Sequence, residues 1–132
     1  MINKEDANIL IVDDIEDNRY TLERRLKRDG YKNIFLAEGG KAALDMAVEN
    51  KFDLILLDLM MPDMSGLEVL KYLKGDPLQR SIPVIMVTAS DEVETAAECI
   101  INGADDFITK PFNGTLLKAR VSACLEKKRF RD

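Results

Sequence analysis

The chain has 132 residues, 46% hydrophobic and 33% charged, and its 19 basic and 24 acidic side chains leave a formal net charge of −5. A chain of this size buries roughly two-thirds of the surface its unfolded form exposes, so it specifies one domain with a proper core, and the composition excludes disordered, collagen-like and low-complexity classes. It contains no histidine, which excludes Ser-His-Asp and Cys-His catalysts, most zinc sites and a phosphohistidine carrier.

Five strand-sized apolar runs alternate with five helical segments along the chain. The first run, Ile9-Leu10-Ile11-Val12, ends at Asp13-Asp14. Asp17 is placed to cap a helix whose Leu22 and Leu26 recur at i, i+4 before Gly30 stops it. The second run, Ile34-Phe35-Leu36-Ala37, precedes a helix over residues 40–50 with Ala43, Leu44 and Ala47 on one face. The third, Leu54-Ile55-Leu56-Leu57, leads into Asp58. Ser65 then opens a helix that turns Leu67, Leu70 and Leu73 inward and is closed by Gly75-Asp76-Pro77. The fourth, Pro83-Val84-Ile85-Met86-Val87, reaches Thr88. A helix over about residues 91–102 follows, with Val93, Ala96, Ala97 and Ile100 inward and Gly103 as its stop. The fifth, Phe107-Ile108, leads to Lys110, and the last helix starts near Asn113 with Leu117, Val121 and Cys124 as its apolar stripe.

The runs are nearly continuous where a one-sided strand would alternate, as a parallel strand covered on both faces requires. The pattern predicts an α/β fold, a doubly wound three-layer sandwich on a five-stranded parallel sheet, without internal repeat, linker or second domain. The start, Met1-Ile2-Asn3-Lys4-Glu5-Asp6, is polar and acidic where a secretory peptide is basic and then apolar, and no stretch approaches the ~18 apolar residues of a membrane span. A cytosolic protein is expected. Cys99 and Cys124 lack CxxC spacing and read as buried thiols in a reducing compartment. Six basic residues between Leu117 and Asp132 face two acidic ones, leaving 13 basic and 22 acidic residues elsewhere. The acidic body argues against nucleic-acid binding, while the basic tail suits an acidic partner. The final helix, about residues 113–130, ends in Glu126-Lys127-Lys128-Arg129-Phe130-Arg131-Asp132 without a capping glycine, so it is expected to continue into an output domain of a longer protein.

Ligands of open α/β sheets bind beyond the carboxyl ends of the strands. The residues following the runs are Asp13 and Asp14, Asp58, Thr88 and Lys110. Three carboxylates at one rim repel unless one takes a proton or a cation sits among them, and oxygen-only donors select a hard ion such as Mg2+. A cation there with an ammonium opposite makes a pocket for a phosphoryl group, with Asp58 as nucleophile.

The runs Ile11-Val12-Asp13-Asp14, Leu56-Leu57-Asp58-Leu59-Met60-Met61-Pro62-Asp63-Met64-Ser65-Gly66, Val87-Thr88-Ala89 and Thr109-Lys110-Pro111-Phe112 resemble those of the CheY-like response-regulator receiver domain of two-component signalling. The resemblance covers about the whole chain and implies strand order 2-1-3-4-5. It further implies that Asp58 accepts phosphate from a sensor histidine kinase. Asp14, Asp58 and the backbone carbonyl of Met60 would bind Mg2+ directly, and Asp13 would hold it through water. Thr88 and Lys110 would bond the phosphoryl oxygens, the Lys110-Pro111 bond would be cis, and Phe107 would be the switching aromatic. Family members commonly carry tyrosine there, so an output contact through that hydroxyl is missing. The implied output is a changed surface on the fourth helix, fifth strand and fifth helix, offered to an effector, an attached domain or a second copy. No membrane partner and no enzymatic activity beyond the self-directed phosphoryl chemistry is expected.

Plainer readings stand beside these. Asp13-Asp14 could cap the first helix, Thr88 could serve only as a β-former, Phe107 as core, and Met60, Met61 and Met64 as filler. Asp63, Ser65 and Gly66 read as turn and cap residues. Met60 carries a sharper expectation, that an apolar side chain over the acceptor hinders the attacking water, while small Ala89 and Ser90 leave the site open. Three rival readings are a receiver-like module working without phosphorylation, a phosphatase of the haloacid-dehalogenase type, which needs an acid where Met60 stands, and a flavin mononucleotide binder, whose phosphate Asp13-Asp14-Ile15-Glu16-Asp17 would repel.

Overall fold

The computed structural model describes residues 3–89 and 91–131, apart from the side chains of Val93, Arg129, Phe130 and Arg131. Among these residues, strands β1 (Asn8–Val12), β2 (Asn33–Ala37), β3 (Leu54–Asp58), β4 (Val84–Ala89) and β5 (Asp106–Lys110) alternate with helices α1 (Glu16–Arg28), α2 (Gly40–Glu49), α3 (Gly66–Gly75), α4 (Val93–Ile101) and α5 (Gly114–Arg131). All strand pairs are parallel, in the order β2-β1-β3-β4-β5.

The two-residue period of a strand sends alternate side chains to opposite faces, and the core is accordingly double. Leu10, Val12, Ile55, Leu57, Val84 and Met86 share one face with Ala43 and Ala47 of α2, Val69, Leu70 and Leu73 of α3 and Cys99 of α4. Ile9, Ile11, Leu54, Leu56, Ile85, Val87 and Ile108 share the other with Leu22 and Leu26 of α1 and Leu117, Val121 and Cys124 of α5. Each fully buried Val, Leu, Ile or Met side chain among these contributes about 1.5–3 kcal/mol. Both cysteines are free and buried, as expected.

Coverage of both faces holds for the central strands but not for the edges. In β2 only Ala37 is fully buried and Leu36 is 38% exposed, and β5 buries only Ile108 completely, because an edge strand has one neighbour and the covering helices reach over it only in part. The helix ends follow local chemistry. Gly30 and Gly103 adopt φ of +105° and +109° where α1 and α4 stop, the left-handed geometry that side chains disfavour. Ser65 and Glu68 close a reciprocal capping box on α3, and Asn113 Oδ1 accepts the amides of Thr115 and Leu116 at the start of α5.

Two details differ from the sequence reading. Asp17 does not cap α1. It lies in the first turn beside Glu16, where the helix dipole favours acids, and the capping residue is Ile15, without a side-chain bond. Among the described side chains of α4 the buried ones are Ala96 and Cys99, whereas Ala97 and Ile100 face solvent. A nine-residue helix touches the sheet along a line of one residue per turn, and its phase places 96 and 99 on that line. Ser90 and the side chain of Val93 fall outside the described residues.

One glycine is set by close approach. A Cβ on Gly66 would run into the backbone carbonyl oxygen of Asp58 and lie 2.9 Å from Leu59 Cα, so α3 starts directly against the end of β3. Gly66→Ala is expected to lose about 1–3 kcal/mol in denaturant titrations. Gly75→Ala, with nothing within 4 Å of its Cβ position, should stay within about 0.5 kcal/mol of the parent.

Candidate functional site

The residues read from the strand ends meet at one rim. Asp58 is the last residue of β3 and Lys110 of β5, Thr88 is next to last in β4, and Asp13 follows β1. Alternation sends Asp13, Asp58 and Lys110 to the α1/α5 side, where Lys110 Nζ lies 3.1 Å from Asp58 Oδ1 and 3.3 Å from Asp13 Oδ2. Asp13 and Asp58 are buried and Asp14 is exposed, and carboxylate oxygens of the three lie within 4.8 Å of one another. Thr88 and Phe107 point to the opposite side. The Thr88 hydroxyl is buried with no hydrogen-bond partner among the described residues, and Phe107 is half-buried against the α2–α4 core. The Lys110-Pro111 bond is cis.

Asp13 is anchored from several directions. Its Oδ1 accepts the Ile15 amide at 2.9 Å, its amide donates to Ala37 at 3.2 Å, and Arg19 Nη1 donates to its carbonyl at 2.7 Å. The plain capping reading of Asp13 is thus partly right: one oxygen serves the entrance to α1 while the other faces Lys110. Asp58 is less comfortable. Burial, and then the neighbouring Asp13 carboxylate, push its carboxyl up to about 6 although Lys110 pulls the other way. At Lys110 burial opposes the charge, but the hydrogen bond and charge of Asp58, followed by those of Asp13, outweigh it and raise the pKa above the ordinary lysine value.

The donor set fits a hard cation. Three carboxylates with no sulfur or imidazole leave negative charge that a single ammonium does not balance, and the exposed Asp14 opens the cluster to solvent. The orphaned Thr88 hydroxyl fits a phosphoryl group, since a buried hydroxyl left alone costs about 1–3 kcal/mol that an oxygen acceptor would return. Met60, two residues beyond Asp58, carries a side chain that is 63% exposed.

Sequence reasoning missed Arg19. It is buried on the inner stripe of α1 with Leu22 and Leu26, bonds the Asp13 carbonyl, and lies 3.8 Å from Glu38. A charged residue at i, i+3, i+7 spacing with two inward leucines was the available signal. Glu92 was also missed: its carboxylate accepts the Ala89 amide at 2.8 Å, closing the turn after Thr88.

The family model of the response regulator receiver domain matches residues 9–122. This chain is a response regulator receiver domain. It is 45% identical over 115 residues to the response regulator PleD of Caulobacter vibrioides, covering 87% of this chain and 25% of that protein. It is 41% identical over 119 residues to the alkaline phosphatase synthesis transcriptional regulatory protein PhoP of Bacillus subtilis, covering 90% of this chain and 48% of the other. Among solved structures, a Francisella response regulator receiver domain superposes with a TM-score of 0.83 at 30% identity, covering 92% of this chain and 98% of that one. The receiver domain spans between 25% and 56% of the length of such curated relatives. Phosphorylation-dependent switching in two-component signalling is the general function of the family.

The strained Asp58 makes stability of the receiver domain pH-dependent. Because its folded pKa, about 6, exceeds the ordinary 3.8, the folded state holds the proton more tightly, and the stability this group contributes is complete below about pH 4 and lost as pH rises through about 6. Asp58→Asn, which never ionises, should exceed the parent by about 1–3 kcal/mol near pH 8 in chelator, and the excess should shrink near pH 4. Urea titrations at the two pH values measure it; an excess that does not change with pH contradicts the assignment.

Proposed function

We propose that Asp58 is the phosphoacceptor of a signalling switch supplied by a sensor histidine kinase. The observation that carries this reading is the gathering of Asp13, Asp14 and Asp58 at one rim, with the Lys110 ammonium paired to Asp13 and Asp58 and a buried Thr88 hydroxyl that has no partner among the described residues. Asp14, Asp58 and the Met60 carbonyl would hold Mg2+ directly, with Asp13 behind a water. The ion, when bound, supplies positive charge to the equatorial phosphoryl oxygens.

A carboxylate oxygen of Asp58 attacks phosphorus in line, the phosphorus–nitrogen bond of the donor imidazole breaks, and that nitrogen leaves with the bonding pair. Asp58 is held for this attack at the end of β3 by burial and by its bond to Lys110. Its raised carboxyl gives a more basic nucleophile than an ordinary aspartate. Lys110 moves from two carboxylates to the incoming oxygens, and Thr88 donates its hydroxyl to one of them. The added charge, about −1.5 to −2, draws the β4–α4 turn inward and changes the room available to Phe107, which packs on the same side of the sheet as Thr88. The face made by α4, β5 and α5 is the surface this alters. A switch of this kind needs two states within a few kcal/mol of each other.

No helix among the described residues is long and apolar enough to cross a membrane, and we place the switch in the cytoplasm. The greater length of its relatives supports reading residues 1–132 as an input module whose final helix leads to an output domain. The partner is then that domain, a separate effector or a second copy. The only chemistry is self-directed, so the chain is a switch and not a conventional enzyme. The intact acidic set and Lys110 argue against a module that works without phosphate.

Incubation with acetyl phosphate and Mg2+ should add the mass of one phosphoryl group to the parent and none to Asp58→Asn in intact-mass spectra. A parent that stays unmodified, or a variant modified equally, defeats the assignment. Met60→Asn should lose the phosphoryl group faster than the parent, because a polar side chain over the acceptor admits and orients water. An equal or slower rate, timed by the same spectra, removes the role given to Met60.

A further inference from the structure

The loop that follows Asp58 is tied at both ends, and the outer tie reaches across the molecule. At its base the Gly66 amide donates to the Leu59 carbonyl at 2.7 Å. At its tip Asp63 spans to α2: Oδ1 accepts the Gly40 amide at 3.2 Å and Oδ2 the Lys41 amide at 3.1 Å. These are the first amides of α2, which has Gly39 as its capping residue, no side-chain cap and no acidic residue in its first turn. Unserved amides at a helix start need an acceptor, and the acceptor here comes from more than twenty residues further along the chain. The Lys41 amide, and then that of Gly40, hold the Asp63 carboxyl below the usual carboxylate range.

The fit is close on both sides. A Cβ on Gly39 would lie 2.8 Å from Asp63 Oδ1 and 2.9 Å from Oδ2, so the absent side chain at 39 is what admits the carboxylate. The backbone of Gly39 is extended, with φ of −173°, and alanine there would disturb the contact without straining the chain. Met60, Met61 and Pro62 lie between the two ties. In the sequence Asp63 reads as a turn residue, because the bond joins it to a segment far away along the chain.

We infer that Asp63, by capping α2 across the loop, is a positioning residue that holds the Met60 carbonyl in place for the divalent cation. The inference rests on the proposed reading of the acidic pocket and adds a residue outside it. Asp63 does not touch the cation in this account. Its effect passes through the backbone of residues 60–63, in the way outer partners orient a ligand atom.

Calorimetric Mg2+ titration of the parent, Asp63→Ala, Asp63→Asn, Gly39→Ala and the Gly39→Ala/Asp63→Ala double variant tests this, with amide hydrogen exchange on the metal-free proteins. Asp63→Ala should weaken Mg2+ binding about tenfold, and Asp63→Asn, which keeps one acceptor, by about threefold or less. Gly39→Ala should weaken binding in the parent and add nothing in the Asp63→Ala background. The amides of residues 40, 41, 60, 61, 63 and 64 should exchange faster in Asp63→Ala without metal. Parental affinity in Asp63→Ala overturns the inference, even if the melting temperature falls, because the cap would then serve α2 alone. Equal losses in Asp63→Ala and Asp63→Asn with an unaffected Gly39→Ala overturn it too, as a plain effect of charge. Unchanged exchange at those amides does the same. A parent that binds no Mg2+ instead brings down the reading of the pocket, and the positioning role with it.

Discussion

Negative charge crowded into a partly buried rim is the constraint on which the rest of this structure depends. Asp13 and Asp58 are both buried, Asp14 stands beside them, and one ammonium serves two of the three. Charges this close in a medium less polarisable than water repel strongly. The protein accepts the repulsion instead of relieving it with a second fixed cation among the carboxylates: Arg19 is buried nearby, yet it spends its short bond on the Asp13 backbone. The unbalanced charge is what makes the donor set fit a hard cation.

The fold makes such crowding tolerable by anchoring everything around it. The site hangs from strand ends whose preceding residues are wholly buried, with Val12 before Asp13, Leu57 before Asp58 and Val87 before Thr88. Loss of alignment at the rim would require loosening of the two cores beneath. The helices contribute at their ends, since α1 begins on an Asp13 bond and α3 begins against the Asp58 carbonyl. Rigid support with a strained functional group on top is a common division of labour between scaffold and site.

The two faces of the sheet also divide the work. Asp13, Asp58 and Lys110 belong to the α1/α5 side, Thr88 and Phe107 to the side of α2, α3 and α4. Thr88 thus shares the rim with Asp58 and Lys110 while lying on the other side of the sheet, at the crossing between the two. Its orphaned hydroxyl and the turn closed by Glu92 on the Ala89 amide lie at that crossing. A new acceptor for that hydroxyl would act first on the segment leading into α4, whose buried side chains among those described are Ala96 and Cys99.

Most of this was legible in the residues. The apolar runs, the glycine stops and the helix start at Ser65 gave the alternation of strands and helices, because hydrophobic period and capping act within a few residues of sequence. The acidic and basic groups at the strand ends could be gathered on paper, because parallel strands place their carboxyl ends at one edge. Coverage of β2, the phase of α4, the capping of α1 and the buried bond of Arg19 could not, since each depends on which neighbour packs where. Asp63 shows the difference most clearly: as a sequence it is one polar residue in a turn, and only folding brings it to the start of a helix laid down more than twenty residues earlier. Local chemistry writes the elements and the functional groups into the chain, while contacts between distant segments exist only once the sheet has set their separation and angle.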